Sequence, residues 1–182
     1  MTYWKFLISL SYIFFTFTYP KAIANETFVL KTAIENFGDH VAVDQSSPIK
    51  SSQVFKVVFD VGRQNNDGGI NQSFDSLARF INMHVANGSP IGNINLALVI
   101  HGKAAFDSLN KKAYEERFLA VNPNTELLNA LMENNVKIYL CGQTAGFLSI
   151  GKKELQAGIK MSLSAMTAHA LLQQEGYTLN PF

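Results

Sequence analysis

From Val54 onward, apolar β-prone segments alternate with segments of helical periodicity, and no other feature constrains the fold as much. The stretches rich in β-branched, aromatic and other apolar residues are Val54–Val61, Ile94–Ile100, Val136–Cys141, Ile159–Leu163 and Tyr177–Leu179. Strands that alternate with helices form parallel sheets joined by right-handed crossovers, with helices on both faces. The sequence therefore predicts an α/β fold, a three-layer flavodoxin-like domain with a mostly parallel five-stranded sheet. We expect the last strand to lie at an edge.

Helix signals lie between these segments. In Ile70–Ala86 the apolar residues follow a spacing of three and four, and Asn87-Gly88 is a typical helix end. A second helix is predicted to begin at Asn122–Asn124 and to end at Asn134-Asn135. A short helix is predicted over Thr144–Ile150, and a further helix runs from its cap at Ser164 to Gln174. Its predicted inward residues are Ala165, Ala168, Leu171 and Leu172.

The first 24 residues have the pattern of a secretory signal peptide. Lys5 precedes an apolar run from Phe6 to Phe15, Pro20 ends it, and Ala22–Ala24 provides a small-x-small cleavage site. The run is shorter than the roughly 20 apolar residues that a membrane span requires. We therefore expect cleavage after Ala24, export to the periplasm, and no membrane attachment afterwards.

The rest of the chain divides into two parts. Residues 25–52 are polar and mixed, which predicts an exposed N-terminal arm in which His40 is solvated. Residues 53–182 are expected to form the folded domain. The chain has 15 basic and 14 acidic residues; residues 1–24 hold Lys5 and Lys21 and no acid, so 13 basic and 14 acidic residues remain after cleavage. This balance lacks the basic excess of a nucleic-acid-binding domain, and no nucleic-acid partner is expected.

The single cysteine, Cys141, ends a predicted strand and is followed by Gly142. An unpaired cysteine in an exported protein indicates a reactive thiol or an intermolecular partner, whereas a buried cysteine is often an inert small hydrophobe. The sequence leaves these alternatives open. A strand end followed by a helix N-terminus favours reactivity, because that position lowers the pKa of a thiol.

A second strand ends in the same way, at His101-Gly102. If the two strands are parallel, His101 and Cys141 emerge at the same edge of the sheet, where His101 could hold the thiol as thiolate. The other interpretation is that His101 only forms a structural hydrogen bond. We take Cys141 and His101 as the candidate catalytic residues, and Gly102, Gly142 and Gln143 as candidates for substrate binding.

The remaining candidates are weaker. His84 lies on or beside the apolar stripe of its helix, so a core or subunit-contact role is expected, and His169 is expected at the surface or an interface. The glycine-rich loop 62–69 lacks the G-x-G-x-x-G and G-K-[ST] patterns of nucleotide sites. One cysteine with scattered histidines is not a zinc spacing. We therefore expect neither a cofactor nor a metal.

Several stretches together resemble the DsrE/DsrF-like sulfur-relay family, in particular its exported members. They are Ala78–Val85, Leu98–Gly102, Asn122–Asn124, Ile138–Gln143 and Leu163–Thr167, and the resemblance covers about residues 53–182. It implies a flavodoxin-like subunit that assembles into trimers or hexamers. In cytoplasmic relay members a cysteine after this strand carries sulfur as a persulfide, and Cys141 matches that position. His101 and Gln143 match the pattern of exported relatives.

The resemblance thus implies an exported protein that binds or relays sulfane sulfur through Cys141, with a donor or acceptor protein as its partner. The compartment is a departure, because the cytoplasmic relays transfer sulfur among partners that an exported chain does not meet. The alternative is a non-catalytic oligomeric module that binds a ligand or protein and has a structural cysteine. Whether the protein turns over a substrate is left open by the sequence.

Overall fold

The predicted sheet is present, and all five of its strands are parallel. The computed structural model describes residues 28–29, 33–65 and 67–180, so the predicted signal peptide at residues 1–24 lies outside the described residues. A two-stranded ribbon is followed by the sheet strands. The strands are β1 (Phe28–Val29), β2 (His40–Val41), β3 (Phe55–Val61), β4 (Ile94–Ile100), β5 (Lys137–Cys141), β6 (Lys160–Ser162) and β7 (Thr178–Asn180). The sheet order is β6-β5-β4-β3-β7, with β7 at an edge as predicted.

The direction of the chain across the sheet decides which face each helix covers. From β3 to β6 the chain steps in one direction, so right-handed crossovers place the intervening helices on one face. They are α1 (Gln72–Ala86), α2 (Lys111–Phe118), α3 (Thr125–Glu133) and α4 (Gly142–Phe147). The step from β6 to β7 returns across the sheet and places α5 (Ala165–Gln174) on the opposite face.

The two faces of the sheet are therefore covered unequally. The main core lies between the sheet and α1–α4, whereas the second core is small and consists of Val58, Ala97, Val99, Ala168, Leu172 and Tyr177. Among the described residues, α5 is the only helix on that second face, and much of its own surface remains exposed. In the same part of the chain, no helix has the length and apolar composition needed to cross a membrane.

The helices predicted from the sequence are present, whereas α2 was not predicted as a helix. Ser164 caps α5 by accepting a hydrogen bond from the backbone amide of Thr167, as expected. The helix after Cys141 begins at Gly142, earlier than the predicted Thr144. The prediction that Leu171 faces inward is wrong: it is 56% exposed, because the side of α5 on which it lies has no further element packed on it. Short 3₁₀ helices also occur between these elements, at Ile91–Asn93, Gly102–Ser108 and Lys152–Glu154.

Part of the predicted exposed arm packs against α1 instead. The buried side chain of Asn82 accepts a hydrogen bond from the Ile34 amide at 2.9 Å and donates to the Phe37 carbonyl at 2.9 Å. Gly38 fits closely against the α1 backbone, where its amide donates to Asp75. His40 is only 6% exposed, so the prediction that it is solvated is wrong. Polar composition suggested exposure, but the side chains of Asn82, Asp75 and Arg79 on α1 bind backbone groups of this segment.

Candidate functional site

Cys141 lies at the carboxyl end of β5 and is also the N-cap residue of α4. Its Sγ accepts a hydrogen bond from the backbone amide of Thr144 at 3.5 Å. Cys141 is 6% exposed, so only a small part of the residue is accessible to solvent. Tyr139, two residues earlier on the strand, packs on the small core under α5, which places Cys141 on that face of the sheet.

The environment of the thiol favours its ionised form. Burial raises the pKa of Cys141, but hydrogen bonds from the amide and hydroxyl of Thr144 and from the amides of Ala165 and Gln143 outweigh burial and hold the pKa below the ordinary thiol value. Hydrogen bonds to a thiolate stabilise the charged form. Cys141 therefore has the electrostatic setting of a reactive cysteine and limited exposure.

The two residues that follow Cys141 shape its surroundings. A Cβ on Gly142 would collide with the carbonyl oxygen of Ser162 on the neighbouring strand, so only glycine allows β5 to turn into α4 here. Gln143 donates from Nε2 to the Leu163 carbonyl at 3.3 Å. These contacts tie the start of α4 to the segment that leads into α5. The predicted substrate-binding role of Gly142 and Gln143 stays a prediction.

His101 follows the last residue of β4 and occupies the register position next to Cys141 at the carboxyl end of the sheet. Strands β4 and β5 are neighbours with Ile100 opposite Leu140, so the next residues on the two strands are adjacent positions. Its Nε2 hydrogen bonds to Oδ2 of Asp60 at 3.1 Å. The structure thus brings the two candidates to one edge but gives each a different partner. The direct pairing of His101 with the thiolate stays a prediction.

Two residues of this cluster were missed by sequence reasoning. Asp60, the penultimate residue of β3, accepts from His101 with one carboxylate oxygen and from Nε2 of His169 with the other, at 2.7 Å. Burial raises the pKa of Asp60, but the hydrogen bonds and charges of His169 and His101 outweigh it and lower the pKa. The sequence signal that could have identified Asp60 is an acidic residue one position before the end of a predicted strand. The contact with His169 joins positions 109 residues apart and has no local signature.

Two glycines fit the His101 ring and its loop into place. The ring lies over Gly62, where an added Cβ would be 2.5 Å from Cε1 of His101. Gly102 has a φ of +51°, and a Cβ there would be 2.5 Å from the Gly62 carbonyl oxygen. The Gly102 amide donates to Oγ1 of Thr144 at 3.3 Å. Gly102, predicted to bind substrate, thus links the His101 loop to the helix start that carries the Cys141 hydrogen bonds.

Two cavities flank this link. One has a volume of about 610 Å³ and is lined by Asp60, Gly62, Arg63, Ser73, His101 and Gly102, among others. The other has a volume of about 450 Å³ and is mainly apolar, with Phe147 and Leu148 in its wall and Lys103, Gln143 and Thr144 around it. Gly102 lines both. A substrate at this edge would therefore meet a polar side near His101 and an apolar side near α4.

A buried polar network holds the neighbouring loops. Asp107 is 2% exposed and accepts from Asn71 at 2.8 Å and from Gln64 at 2.9 Å. Burial raises the pKa of Asp107, and the hydrogen bonds from Asn71 and Gln64 only partly offset it. Asn122 donates to the Asp107 carbonyl, which adds the start of α3 to the network. Both carboxylate oxygens and the backbone carbonyl oxygen of Asp107 have hydrogen-bond partners. We therefore assign this network a structural role in supporting the loops at the carboxyl end of the sheet.

The two other histidines considered in the sequence analysis have different surroundings. His84 is buried and its Nδ1 bonds to the Phe80 carbonyl at 2.7 Å, in agreement with the predicted core role. His169, expected at the surface or an interface, has a side chain that is 17% exposed and binds Asp60. Within the described ranges, no three His, Cys, Asp or Glu side chains form a group able to hold a metal ion.

Comparison with known proteins agrees with the fold. The model of the DsrE/DsrF-like family matches residues 54–181. The structure is similar to MTH1491 from Methanobacterium thermoautotrophicum, a protein of unknown function, with a TM-score of 0.52, 13% identity, and coverage of 69% of this chain and 97% of that one. It also matches ychN from E. coli, with a TM-score of 0.48, 18% identity, and coverage of 69% and 100%. No curated protein matches the chain.

Proposed function

The chain belongs to the DsrE/DsrF-like family, and on that premise we propose that Cys141 binds and relays sulfane sulfur as a persulfide. The observation that carries the proposal is the hydrogen bonding of the Cys141 sulfur, which lowers the pKa of the thiol at the carboxyl edge of a parallel sheet. Sulfur-relay chemistry uses a thiolate, and a lowered thiol pKa favours that form.

The loading step is an exchange between sulfur atoms. The Cys141 thiolate attacks the outer sulfur of a donor persulfide, R–S–SH, and a new S–S bond forms to Sγ. The S–S bond of the donor breaks, and its electron pair leaves with R–S⁻, which takes up a proton. The transferred sulfur keeps its oxidation state, so the step needs no oxidant or reductant. The product on the protein is the persulfide of Cys141, a reversible cap.

His101 is the proposed proton carrier of the step. It occupies the register position next to Cys141 and lines the polar cavity. An imidazole that accepts the Cys141 proton can return it to R–S⁻. The amides around Sγ then stabilise the thiolate, and His101 handles the proton. This division of labour differs from a direct Cys–His ion pair.

Intact-mass spectrometry of the folded protein tests the proposal. After treatment with an organic persulfide or polysulfide donor, we expect an adduct of about 32 Da that maps to Cys141 and is removed by a reducing thiol. Cys141→Ser is the control and should show no adduct. An accessible thiol that gains no sulfur under these conditions would contradict the proposal.

A binding module with a structural cysteine is the second candidate, and the 6% exposure of Cys141 favours it. In that case the thiol would react with iodoacetamide only after denaturation, and Cys141→Ala would leave ligand or partner binding intact. Reaction in the folded state would favour the sulfur carrier instead.

We further propose that the protein is a homo-oligomer, a trimer or hexamer as the family resemblance implies. Support comes from the thinly covered face of the sheet, where Leu163 and Met166 are 71% and 79% exposed beside the half-exposed Leu171. A second copy would bury this apolar surface. Light scattering on wild type and on Met166→Glu tests this: we expect an oligomer that the charge dissociates, and a monomeric wild type would contradict it.

Export is the remaining proposal, and it rests on the signal-peptide pattern of residues 1–24. We expect the native protein in the periplasm to begin at Asn25. N-terminal sequencing of protein purified from its own cells would reveal this, whereas a protein that still begins at Met1 would contradict export.

A further inference from the structure

Helix α5 contacts both strand ends of the site from the same side. The amide of Ala165, at its first turn, lies near the Cys141 sulfur and helps to lower the pKa of the thiol. His169, four residues later and so on the same face of the helix, hydrogen bonds to Asp60, which in turn binds His101. One helix therefore reaches the thiol directly and the imidazole through a carboxylate.

The hydrogen bonds of Asp60 specify the protons on both imidazoles. Its lowered pKa makes Asp60 a carboxylate at neutral pH, and a carboxylate only accepts hydrogen bonds. Nε2 of His101 and Nε2 of His169 must then both carry hydrogen. In neutral His101 the lone pair is consequently on Nδ1, the atom left to accept a proton.

His169 depends on this carboxylate for its own position. Its Nδ1 is buried and has no hydrogen-bond partner among the described residues, so the 2.7 Å bond to Asp60 is the polar contact that orients the ring. Conversely, Asp60 is 40% exposed and lies at a strand end, where a side chain without a second partner could turn to solvent. The two rings hold the carboxylate from both sides.

We propose that His169 is a positioning residue of this site: it fixes Asp60, and through Asp60 the ring orientation and tautomer of His101. The inference rests on the proposed function only where His101 is said to transfer a proton. The chain of contacts His169–Asp60–His101 is otherwise a geometric arrangement that can be tested without sulfur chemistry.

Imidazole ¹H–¹⁵N correlation spectra of the full mature protein, recorded at a pH at which both imidazoles are neutral, give the direct test. In wild type we expect His101 as one tautomer with hydrogen on Nε2. His169→Gln keeps a donor for Asp60 and should preserve this tautomer, whereas His169→Leu should give a mixture of both. Gln173→Leu, an exposed change on the same helix, is the matched control and should match wild type.

Asp60→Asn provides a second variant with a sharper result. The amide has one acceptor and one donor end, so it can accept from only one imidazole. The other imidazole, His101 or His169, must then present a bare Nε2 and move its hydrogen to Nδ1. If His101 and His169 both keep hydrogen on Nε2 in this variant, the inference is overturned. An unchanged His101 tautomer in a folded His169→Leu would also overturn it.

Sulfur transfer from loaded Cys141 to a small thiol separates this inference from the proposed function. We expect His169→Leu to slow transfer about tenfold and His169→Gln to restore most of the rate. If Cys141 never loads sulfur but the tautomers change as expected, the proposed function fails and the positioning role stands. If loading and transfer proceed normally in His169→Leu with an altered tautomer, the positioning role has no catalytic consequence and the inference fails.

Discussion

The two strand ends of the site share a sequence pattern but differ in their environment. At the end of β5, Cys141 is 6% exposed and receives its hydrogen bonds from backbone amides and the hydroxyl of Thr144. At the end of β4, the His101 side chain is 37% exposed and bonds to the Asp60 carboxylate. The first environment favours a thiolate, and the second orients the ring of His101, the proposed proton carrier. The same sequence pattern therefore lies in two different environments.

The glycines that follow them also differ. Gly142 allows a close approach to the Ser162 carbonyl, whereas Gly102 adopts a positive φ and lies against the Gly62 carbonyl. Glycine is therefore required at position 142 for close packing, and at position 102 for both close packing and backbone conformation. The Gly102–Thr144 hydrogen bond connects the two ends.

The largest expected effect comes from Gly142. Gly142→Ala forces a Cβ against the Ser162 carbonyl, and we expect it to lower the free energy of unfolding by about 3 kcal/mol. Gly146→Ala, in the same helix but facing open space, is the matched control and should raise it by about 0.5 kcal/mol. Urea unfolding of both variants measures the difference. Equal stability would mean that the β5 end is not tightly packed.

Thr144 is expected to have the next largest effect. Thr144→Val removes the hydroxyl that bonds to the thiol and to the Gly102 amide, so we expect about 1 kcal/mol lower stability and a raised Cys141 pKa. The rate at which iodoacetamide alkylates Cys141, measured across roughly pH 5–10, reports the pKa of the thiol. Thr144→Ser keeps the hydroxyl and should stay near wild type. If the pH profile of Cys141 alkylation is unshifted in Thr144→Val, the hydroxyl of Thr144 does not lower the pKa of the thiol.

The pH dependence of stability should show a smaller effect. The folded pKa of Cys141 is lowered, so between that pKa and the ordinary thiol value of about 8.5 the unfolded chain binds more protons than the folded one. Wild type should therefore gain stability relative to Cys141→Ser as pH rises through this window, and lose the gain as pH falls. A difference that is constant with pH would indicate a thiol that does not ionise in the folded protein.

The smallest expected effect is an absence of change. Asp60 is not among the groups that shift the Cys141 pKa, so Asp60→Asn should leave the pH profile of Cys141 alkylation where it is in wild type. Sulfur transfer should slow in the same variant, because His101 loses its orientation. A shifted pH profile of Cys141 alkylation in Asp60→Asn would show that Asp60 and His101 influence the ionisation of the thiol.

Much of the fold could be predicted because its signals are local. The five strands follow from β-prone composition, and α5 from the Ser164 cap and its periodicity. The docking of residues 33–40 on α1 could not be predicted, since it depends on contacts of Asn82, Asp75 and Arg79 with backbone groups more than 30 residues away in the sequence and has no local pattern. The exposure of Leu171 also escaped prediction, because strand order leaves α5 alone on its face among the described residues.

The positions of the two candidate catalytic residues in the sheet were predicted, whereas most of their contacts were not. Cys141 and His101 were placed at one sheet edge from strand ends alone, and the adjacency of β4 and β5 agrees with that placement. Asp60 and His169 were missed, because their contact joins β3 to α5 across the sheet. The hydrogen bonds that lower the pKa of Cys141 depend on where α4 begins, which sequence signals placed two residues late.

The most direct test of the account is the iodoacetamide reactivity of Cys141 in the folded protein as a function of pH, compared with the same chain unfolded in urea. We predict reaction in the folded state with a midpoint below that of the unfolded chain, because the Thr144, Ala165 and Gln143 contacts favour the thiolate. A thiol that stays unreactive until the protein unfolds, or that ionises at a higher pH when folded, would contradict a sulfur-carrying Cys141.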